Sequence, residues 1–289
     1  MIFRYIEEEQ RGTWPIVRLC HALGVSTSGY YAWRKRGPSP RARANAALLV
    51  QLRAIHQETR ATYGSRRMQA ELVARGQPCS VNRVARLMRV AHLLTRHKRP
   101  YRVKTTRVDW ARPVAPNRVA QHFAASAPDR LWLGDITYIP TQQGWLYLAA
   151  VLDAYSRRIV GWALDETTTT DLVQTALHMA IGRRQPTAGL VHHTDRGSQY
   201  TSAAYQDQVQ AHGLIASMSG TGNCYDNAPM ESFFATLKAE LIYTRQYTSR
   251  TAAQHDIVWY IEGFYNATRR HSALGYRSPL DFERTVTMS

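Results

Sequence analysis

Cysteine is scarce in this chain, and long apolar runs are absent. The 289 residues include three cysteines, Cys20, Cys79 and Cys224, an odd number without Cys-x-x-Cys spacing. This pattern supports neither a disulfide framework nor a zinc finger, and it favours a reducing compartment. The longest apolar run, residues 146–152, is too short to cross a bilayer. Because the charged beginning also lacks the pattern of a signal peptide, we expect a cytoplasmic protein.

Acidic residues are few, and they are unevenly distributed. The chain has 21 Asp and Glu against 37 Lys and Arg, a net charge of +16. Residues 1–124 hold 24 basic and 6 acidic residues, a net charge of +18, whereas residues 125–289 hold 13 and 15, a net charge of −2. A generally basic protein would spread its charge, so this segregation indicates a front part that binds a polyanion, joined to a nearly neutral module. The length predicts at least two domains.

One acid stands within an otherwise apolar segment. Residues 131–139 are rich in β-branched, aromatic and aliphatic side chains, which predicts a buried strand that Pro140 ends. Asp135 lies in the middle of this strand. Desolvating an unpaired carboxylate is costly. We therefore expect a cation beside Asp135.

Two further acids complete a candidate site. Asp195 ends a short apolar segment and precedes turn residues, which predicts a position at a strand end. Glu231 lies near the start of a predicted helix, for which Asp226 or Asn227 is the expected N-cap. Lys238 follows seven residues later, and it falls on the same helical face because seven steps of about 100° nearly complete two turns.

Oxygen ligands without cysteine or paired histidines are typical of a site for hard divalent cations. Two such ions can hold both the entering and the leaving oxygen of an in-line phosphoryl displacement. We expect Mg²⁺, as a pair of ions with Mn²⁺ as a substitute, and a contact between Lys238 and a phosphate oxygen of DNA. The alternative is that these acids are simply solvated, because a chain with 21 carboxylates offers pairs at many spacings.

The front part contains two candidate helix-turn-helix units. In the first, residues 16–23 form a helix, Gly24 marks a turn, and Ser26 caps a second helix. In the second, a helix over about residues 65–75 precedes Ser80, which caps a further helix. Candidates for contact with base edges or phosphates on the polar face of that helix are Asn82, Arg83, Arg86 and Arg89. A plain helical hairpin is the alternative for both units.

The segment of residues 96–128 is basic, interrupted by prolines and without helical periodicity. These properties are typical of a linker that follows a phosphate backbone, although a solvated, unbound linker is the ordinary alternative. Its candidate phosphate contacts are Lys98, Arg99, Arg102, Lys104, Arg107, Arg112 and Arg118.

Behind this linker the pattern predicts an α/β layered domain. The expected order is strands at about residues 131–139, 145–152 and 158–164, helix 171–183, strand 189–194, helix 201–212, strand 214–218, and helices from residue 227 onward. Residues 142–144 would form the first hairpin turn, and residues 252–265 a helix that packs on the core.

Five stretches of the chain carry a specific family resemblance. They are Trp132 to Tyr138, Val151 to Trp162, His193 to Ser202, Asn223 to Lys238 and Tyr265 to Pro279. From about residue 14 to residue 283, the chain resembles bacterial transposases of the insertion sequence 3 family, in the second-frame form often called OrfB. The resemblance implies an α/β ribonuclease-H-like catalytic core, as in retroviral integrases, preceded by α-helical helix-turn-helix DNA-binding domains. It also implies that Asp135, Asp195 and Glu231 form a metal-binding DDE triad.

The implied activity is metal-dependent cleavage and transfer of a DNA strand at the terminal inverted repeats of an insertion sequence. Water or a DNA 3′-hydroxyl would attack phosphorus in line. Implied partners are double-stranded element and target DNA, further copies of this chain on that DNA, and an upstream OrfA product or frameshift fusion. The expected location is the bacterial cytoplasm, in association with the nucleoid. Two alternatives are a non-catalytic DNA-binding regulator or element remnant, and a structure-selective nuclease on the same fold.

We divide the chain into five parts on these grounds. They are an N-terminal helix-turn-helix region (1–60), a second helix-turn-helix (61–95), the basic linker (96–128), the ribonuclease-H-like core (129–245) and a C-terminal helical extension of the core (246–289).

Four other residues are considered for the site. His193 lies two residues before Asp195 and is expected on the same side of the strand, with a structural role as the alternative. Arg269 and His271 are candidates for phosphate contact, and a structural role is equally open. Asp153 is expected to cap a turn or to pair with a neighbouring arginine rather than to bind metal.

Overall fold

The computed structural model describes residues 2–9, 14–95, 114–220 and 224–287. Within these ranges, no helix is long and apolar enough to span a membrane. Six of the predicted phosphate contacts lie outside the described residues: Lys98, Arg99, Arg102, Lys104, Arg107 and Arg112.

Three short helices open the chain: α1 (Ile2–Glu9), α2 (Ile16–Ala22) and α3 (Thr27–Lys35). They enclose a small core of Ile6, Cys20 and Tyr30. Gly24 has a φ of +64°, in the left-handed region that glycine tolerates, and the Ser26 hydroxyl caps α3. The helix, turn and capped second helix predicted in this region are therefore present as α2 and α3, and α1 was not predicted.

A second helical unit follows: α4 (Pro40–Glu58), α5 (Ser65–Ala74) and α6 (Val81–Val90). Ser80 caps α6 as predicted, accepting the Arg83 amide at 3.3 Å. Leu52 of α4 is buried in the same core as Leu72 of α5 and Val84 of α6. The predicted boundary at residue 60 therefore separates helices that pack together. The sequence does not reveal α4, because its Arg- and Ala-rich first half lacks an apolar face.

In the described residues from 114 onward, the chain forms five strands: β1 (Leu131–Thr141), β2 (Gly144–Asp153), β3 (Ile159–Asp165), β4 (Val191–Thr194) and β5 (Ile215–Met218). Their order in the sheet is β3-β2-β1-β4-β5. The pairs β1–β2 and β2–β3 are antiparallel, whereas β4 runs parallel to β1 and to β5. Pro140 does not end β1 as predicted, because it lies exposed near the hairpin end, where a strand tolerates proline.

Helices cover both faces of this sheet. They are α7 (Thr170–Arg184), α8 (Ala203–Ala211), α9 (Ala228–Glu240), α10 (Arg250–Trp259) and α11 (Pro279–Thr287). Residues of α7 and α8 pack on one face, and residues of α9 and α10 on the other. A π-helical segment, Tyr260–Asn266, continues α10. The α/β layered arrangement predicted from the sequence is confirmed.

The second helical unit is docked on the sheet domain. Its buried residues belong to the same hydrophobic cluster as those of α9 and α10. The Tyr63 hydroxyl accepts the Arg270 amide at 2.8 Å, and the Arg270 guanidinium pairs with Glu71 of α5 at 2.6 Å. The Arg60 guanidinium lies 4.0 Å from the centroid of the Trp259 ring. Apolar packing, an ion pair and a cation–π contact thus join the two units.

Candidate active site

Two of the predicted acids emerge from adjacent parallel strands. Leu133 of β1 is in register with His193 of β4. Two residues further on, the same register brings Asp135 beside Asp195, just after β4 ends. Alternate residues of a strand point to the same face. The carboxylates of Asp135 and Asp195 are therefore expected on the same face of the sheet as the side chains of Leu133 and His193. The sheet itself therefore brings these acids together.

The third acid is electrostatically coupled to this pair. Burial raises the pKa of Asp135 well above its usual range, and the negative charges of Asp195 and Glu231 raise it further. The Ile136 amide, which donates to Asp135 Oδ1 at 2.7 Å, and the Lys238 ammonium act in the opposite direction. The charges of Asp195, Glu231 and Lys238 thus all act on the half-buried Asp135 carboxylate.

A long-range hydrogen bond positions the helix that carries Glu231. Asn227 occupies the N-cap position of α9, but its side chain makes no capping hydrogen bond. Instead its Nδ2 donates to the carbonyl of Gly134 at 3.1 Å. The prediction that Asp226 or Asn227 is the N-cap residue is therefore confirmed for Asn227, although its side chain does not cap the helix. The amide instead ties the start of α9 to the residue before Asp135.

The buried carboxylate of Asp226 binds the preceding loop. It accepts the Asn117 side-chain amide at 2.9 Å and the Gly220 amide at 2.7 Å. Asn117 belongs to the end of the predicted linker, which therefore contacts the core directly. These polar contacts could not be found from the sequence, because Asn117 lies 109 residues before Asp226.

Lys238 is held beside the acids. Its ammonium nitrogen lies 4.5 Å from the centroid of the Tyr138 ring. Burial lowers the pKa of Lys238, and the charge of Asp135 opposes that shift. The side chain is half-buried, so the positive charge is both positioned by the ring and accessible to an anion.

The chemistry of these donors fits a divalent cation. A cation would replace the repulsion between Asp135, Asp195 and Glu231 with attraction, and hard ions prefer carboxylate oxygens. Across the part of the chain that the structure describes, no three His, Cys, Asp or Glu side chains converge closely enough to hold a metal ion as they stand. Gathering three ligands requires side-chain movement, for which Glu231, exposed on the first turn of α9, is well placed.

His193 has a structural environment. It is fully buried, and its two ring nitrogens lie 2.8 Å from Ser217 Oγ and 3.2 Å from Ser219 Oγ. Burial lowers its pKa. The Ser217 hydroxyl also accepts the backbone amide of Arg118 at 3.0 Å. The structural alternative is preferred for His193, because its ring nitrogens already have partners.

The tail residues are also placed inside the protein. Arg269 is only 3% exposed and donates two hydrogen bonds to Glu240, at 2.8 and 2.6 Å. This geometry contradicts a surface contact between Arg269 and phosphate, and it supports the structural alternative. The His271 ring packs edge-on against Tyr265, with centroids 4.9 Å apart. Burial lowers the pKa of His271 to about 2, and the charge of Arg269 adds to the shift.

Asp153 caps the turn after β2, as expected. Its carboxylate accepts the Ser156 amide and the Asp129 amide, both at 2.8 Å. The ion pair considered as an alternative does not form with Arg158, which pairs with Glu283 at 2.7 Å.

The four residues of α6 that are predicted to contact DNA differ in their exposure to solvent. Asn82, Arg86 and Arg89 are exposed. Arg83 is half-buried and donates to Asn45 of α4 at 3.0 and 2.8 Å. Its guanidinium therefore joins two helices, a role that the pattern of α6 alone could not reveal.

Family models match three parts of the chain. An HTH-like domain matches residues 43–101, a range that contains α5, α6 and most of α4. An integrase core domain matches residues 125–224, and a second integrase core domain matches residues 212–279. The predicted class of fold, a ribonuclease-H-like integrase core behind a helical DNA-binding domain, is confirmed.

Curated relatives extend over nearly the whole chain. It is 46% identical to the insertion element IS600 uncharacterized 31 kDa protein of Shigella sonnei over 264 residues, 91% of this chain and 97% of the relative. It is 40% identical to the transposase InsF for insertion sequence IS3A of Escherichia coli strain K12 over 285 residues, 98% of both proteins. A chain of the simian T-cell lymphotropic virus intasome is similar at a TM-score of 0.48 and 16% identity, over 80% of this chain and 73% of that one.

The fold and the matched domains define a polynucleotidyl transferase of the transposase and integrase class. The chain belongs to the family of transposases of insertion sequence IS3. Its function is DNA transposition, carried out by an integrase catalytic core behind an HTH-like domain.

Proposed function

We propose that Asp135, Asp195 and Glu231 are the catalytic acids and that they hold divalent metal, Mg²⁺ with Mn²⁺ as a substitute, as two ions per site. The observation that carries this proposal is the pairing of β1 with β4, which brings Asp135 beside Asp195, where the charge of Glu231 also acts on the Asp135 carboxylate. When bound, the ions would polarise the phosphoryl group and increase the acidity of the attacking water or 3′-hydroxyl.

The protein's own contribution is to hold these groups in position before DNA arrives. The Ile136 amide orients Asp135 on a central strand, and the Gly197 amide donates to Asp195 at 2.9 Å. Lys238, held over Tyr138, would contact a nonbridging phosphate oxygen beside the acids. Preorganised charges of this kind stabilise the charge that develops in the transition state.

We further propose that the exposed residues of α6 recognise the terminal inverted repeats. Asn82, Arg86 and Arg89 project from a helix of suitable type for a major groove. The basic linker would add phosphate contacts, and a homo-oligomer would hold two element ends together. An upstream OrfA product or fusion is a further proposed partner, and the bacterial nucleoid is the proposed location.

The test uses purified wild-type protein, a labelled element end, a target plasmid and Mg²⁺. Wild type should give joined product, whereas Asp135→Asn should bind the end and give none. Asp207→Asn, an exposed carboxylate on α8, is the matched control and should behave as wild type. Full strand transfer by Asp135→Asn would overturn the assignment of Asp135.

The same assay separates the two other candidate functions. A structure-selective nuclease would cut the labelled end without joining it to the plasmid. A non-catalytic regulator would bind the end and leave it intact in the presence of either Mg²⁺ or Mn²⁺.

A further inference from the structure

The end of the basic linker is held to the core by Asn117 and Arg118, which we call the anchor segment. Each is hydrogen-bonded to a residue far along the chain, 109 and 99 positions later. The half-buried Asn117 side chain uses its two polar atoms differently. Its Oδ1 accepts the backbone amides of Val119 and Ala120 at 3.1 and 2.9 Å, which closes a local turn. Its Nδ2 donates to Asp226 Oδ2 at 2.9 Å.

The contact between Asn117 and Asp226 leads to the helix that carries Glu231. Asp226 is only 2% exposed, and the oxygen that accepts Asn117 also accepts the Gly220 amide at 2.7 Å. Asp226 directly precedes Asn227, the N-cap residue of α9. Glu231 lies in the first turn of that helix. A displacement of Asp226 would therefore be transmitted to the turn that bears the Glu231 carboxylate.

The contact made by Arg118 leads through His193 to the end of β4. The Arg118 amide donates to Ser217 Oγ at 3.0 Å, and this oxygen lies 2.8 Å from His193 Nδ1. His193 Nε2 lies 3.2 Å from Ser219 Oγ, whose hydroxyl donates to the Thr194 carbonyl at 3.3 Å. The two ring nitrogens of this buried histidine thus connect the anchor segment with the last residue of β4.

The directions of these hydrogen bonds follow from the number of protons available, because each hydroxyl has one. The Ser219 proton is donated to Thr194, so His193 Nε2 is the donor to Ser219. In the neutral ring Nδ1 is then an acceptor, and it takes the proton of Ser217. Every donor in this series therefore points from the linker toward Thr194, the residue before Asp195.

Residues on both sides of Asp195 are bonded to Ser219. The Ser219 amide donates to the Thr194 carbonyl at 2.9 Å. The Ser219 carbonyl accepts Nε of Arg196 at 2.6 Å. The residue that receives the hydrogen bond of His193 therefore also holds the backbone before Asp195 and the side chain after it.

We propose that Asn117 is a positioning residue for DNA strand transfer, and that the anchor segment aligns Glu231 through Asp226 and Asp195 through His193. This inference rests on the proposed catalytic role of the acids. Hydrogen bonds that form a buried network strengthen one another, and a displacement of a reacting group by about 1 Å can lower a rate by about 100-fold. The geometry of the catalytic acids thus depends on the end of the linker that leads to the HTH-like unit.

The variant Asn117→Asp separates the two functions of this side chain. Aspartate keeps an oxygen for the local turn, but it removes the amide donor and places a second carboxylate against Asp226. We expect the rate of strand transfer at saturating element end to fall by about 10–100-fold, while the Kd for that end stays at the wild-type value. The control Gln121→Glu adds the same charge at an exposed position nearby and should keep the wild-type rate. A wild-type rate for Asn117→Asp, or an equal loss in the control, would overturn the proposal.

Thermal unfolding with and without Mg²⁺ distinguishes positioning from a general loss of folded protein. Mg²⁺ should raise the Tm of Asn117→Asp less than that of wild type, because misaligned ligands bind the ion more weakly. A side chain that merely supports the fold would give a lower Tm without metal and the wild-type response to Mg²⁺. That pair of results would contradict the proposal.

The double variant Asn117→Asp/Asp226→Asn tests whether Asn117 acts through Asp226. It removes the repulsion between the two carboxylates and places an amide opposite an acid again. We expect strand transfer to be faster than with Asn117→Asp alone, since residues in direct contact have non-additive effects. Losses from the two substitutions that simply multiply would show that Asn117 does not act through Asp226, and would overturn the proposal.

Asp135→Asn, assayed beside these variants, separates this inference from the proposed function. An inactive Asp135→Asn together with a wild-type rate for Asn117→Asp overturns the positioning role alone. Full activity of Asp135→Asn overturns the assignment of the acids, and the positioning role with it.

Discussion

The side-chain amide of Asn227 donates to the carbonyl of Gly134 at 3.1 Å, across 93 residues of sequence. This bond links the helix of one proposed catalytic acid, Glu231, to the strand of another, Asp135. Gly134 itself lies close to β4, since an added Cβ would meet His192 Cε1 at 3.0 Å. The relative position of two acids thus depends on a residue that is neither of them.

Replacing Asn227 with alanine should therefore reduce catalysis more than DNA binding. Mutating a residue that orients a metal ligand, without binding the metal itself, typically lowers metal affinity or activity by about 10–100-fold. We expect a reduction of that size in the rate of strand transfer at saturating DNA, partly restored by higher Mg²⁺. Binding to the element end should stay at the wild-type level. A wild-type rate would show that the α9–β1 hydrogen bond does not position Glu231.

Divalent metal should stabilise the wild-type protein through the same acids. In a metal-free buffer, Asp135→Asn should unfold at a higher temperature than wild type, because the repulsion of a half-buried carboxylate by Asp195 and Glu231 is removed. Added Mg²⁺ should raise the Tm of wild type and leave that of the variant nearly unchanged. Calorimetry with and without a chelator measures both effects. Equal stabilisation of the two proteins would place the metal elsewhere.

Gly161 is required by the packing of α7 on β3. A Cβ at this position would meet the carbonyl oxygen of Ala176 at 2.2 Å and the amide nitrogen of Ala180 at 2.7 Å. Gly161→Ala should lower the free energy of unfolding by about 1–3 kcal/mol, the usual cost of overpacking. Gly182→Ala, within α7, meets no atom within 4 Å and should stabilise by up to about 1 kcal/mol through helix propensity. Denaturant unfolding of both variants checks the opposite signs.

The ion pair between Arg269 and Glu240 should be important for folding. Both side chains are buried, at 4% and 9% exposure, so Glu240→Gln leaves an uncompensated buried charge. Removing one partner of such a pair costs about 3–5 kcal/mol. Glu166→Gln breaks an ion pair with Arg250 in which the Glu166 side chain is 63% exposed, and it should cost at most about 1 kcal/mol. Similar decreases in stability for the two variants would contradict this ranking.

The arginines of α6 should separate into two functional groups. Arg86→Ala and Arg89→Ala should weaken binding to the element end and reduce the salt slope by about 0.9 for each phosphate that is no longer neutralised. Arg83→Ala should mainly lower thermal stability, because Arg83 joins α6 to Asn45 of α4. Salt-dependent binding and thermal unfolding of all three variants provide the comparison. A salt slope changed by Arg83→Ala alone would reverse the grouping.

Local signals predict most of the individual elements. The Ser26 and Ser80 caps, the hairpin turn before Gly144 and all five strands follow from short-range patterns that the structure retains. By contrast, α4 was not predicted, because its buried apolar residues Leu48, Leu52 and Ile55 are confined to its second half, where they pack on α5 and α6. The domain boundary predicted at residue 60 falls between helices that share one core.

The candidate site shows a similar division. Asp135 is conspicuous in the sequence because a carboxylate in an apolar strand needs a compensating partner. The roles of Asn227 and Arg83 are not visible there, since each depends on a partner far along the chain, Gly134 in one case and Asn45 in the other. From the sequence, Arg269 is a candidate for phosphate contact. A motif indicates which residues are important but does not show whether they face solvent, and Arg269 is buried.

The order of residues alone determined the alternation of strands and helices, the segregation of positive charge and the three acids worth testing, since periodicity, capping and charge are properties of neighbouring residues. Tertiary structure decided which polar groups are buried with a partner and which stay exposed. That distinction depends on contacts between segments that are brought together only when the chain folds. It separates Arg269, whose charge Glu240 neutralises inside the protein, from Arg86 and Arg89, which are exposed on α6.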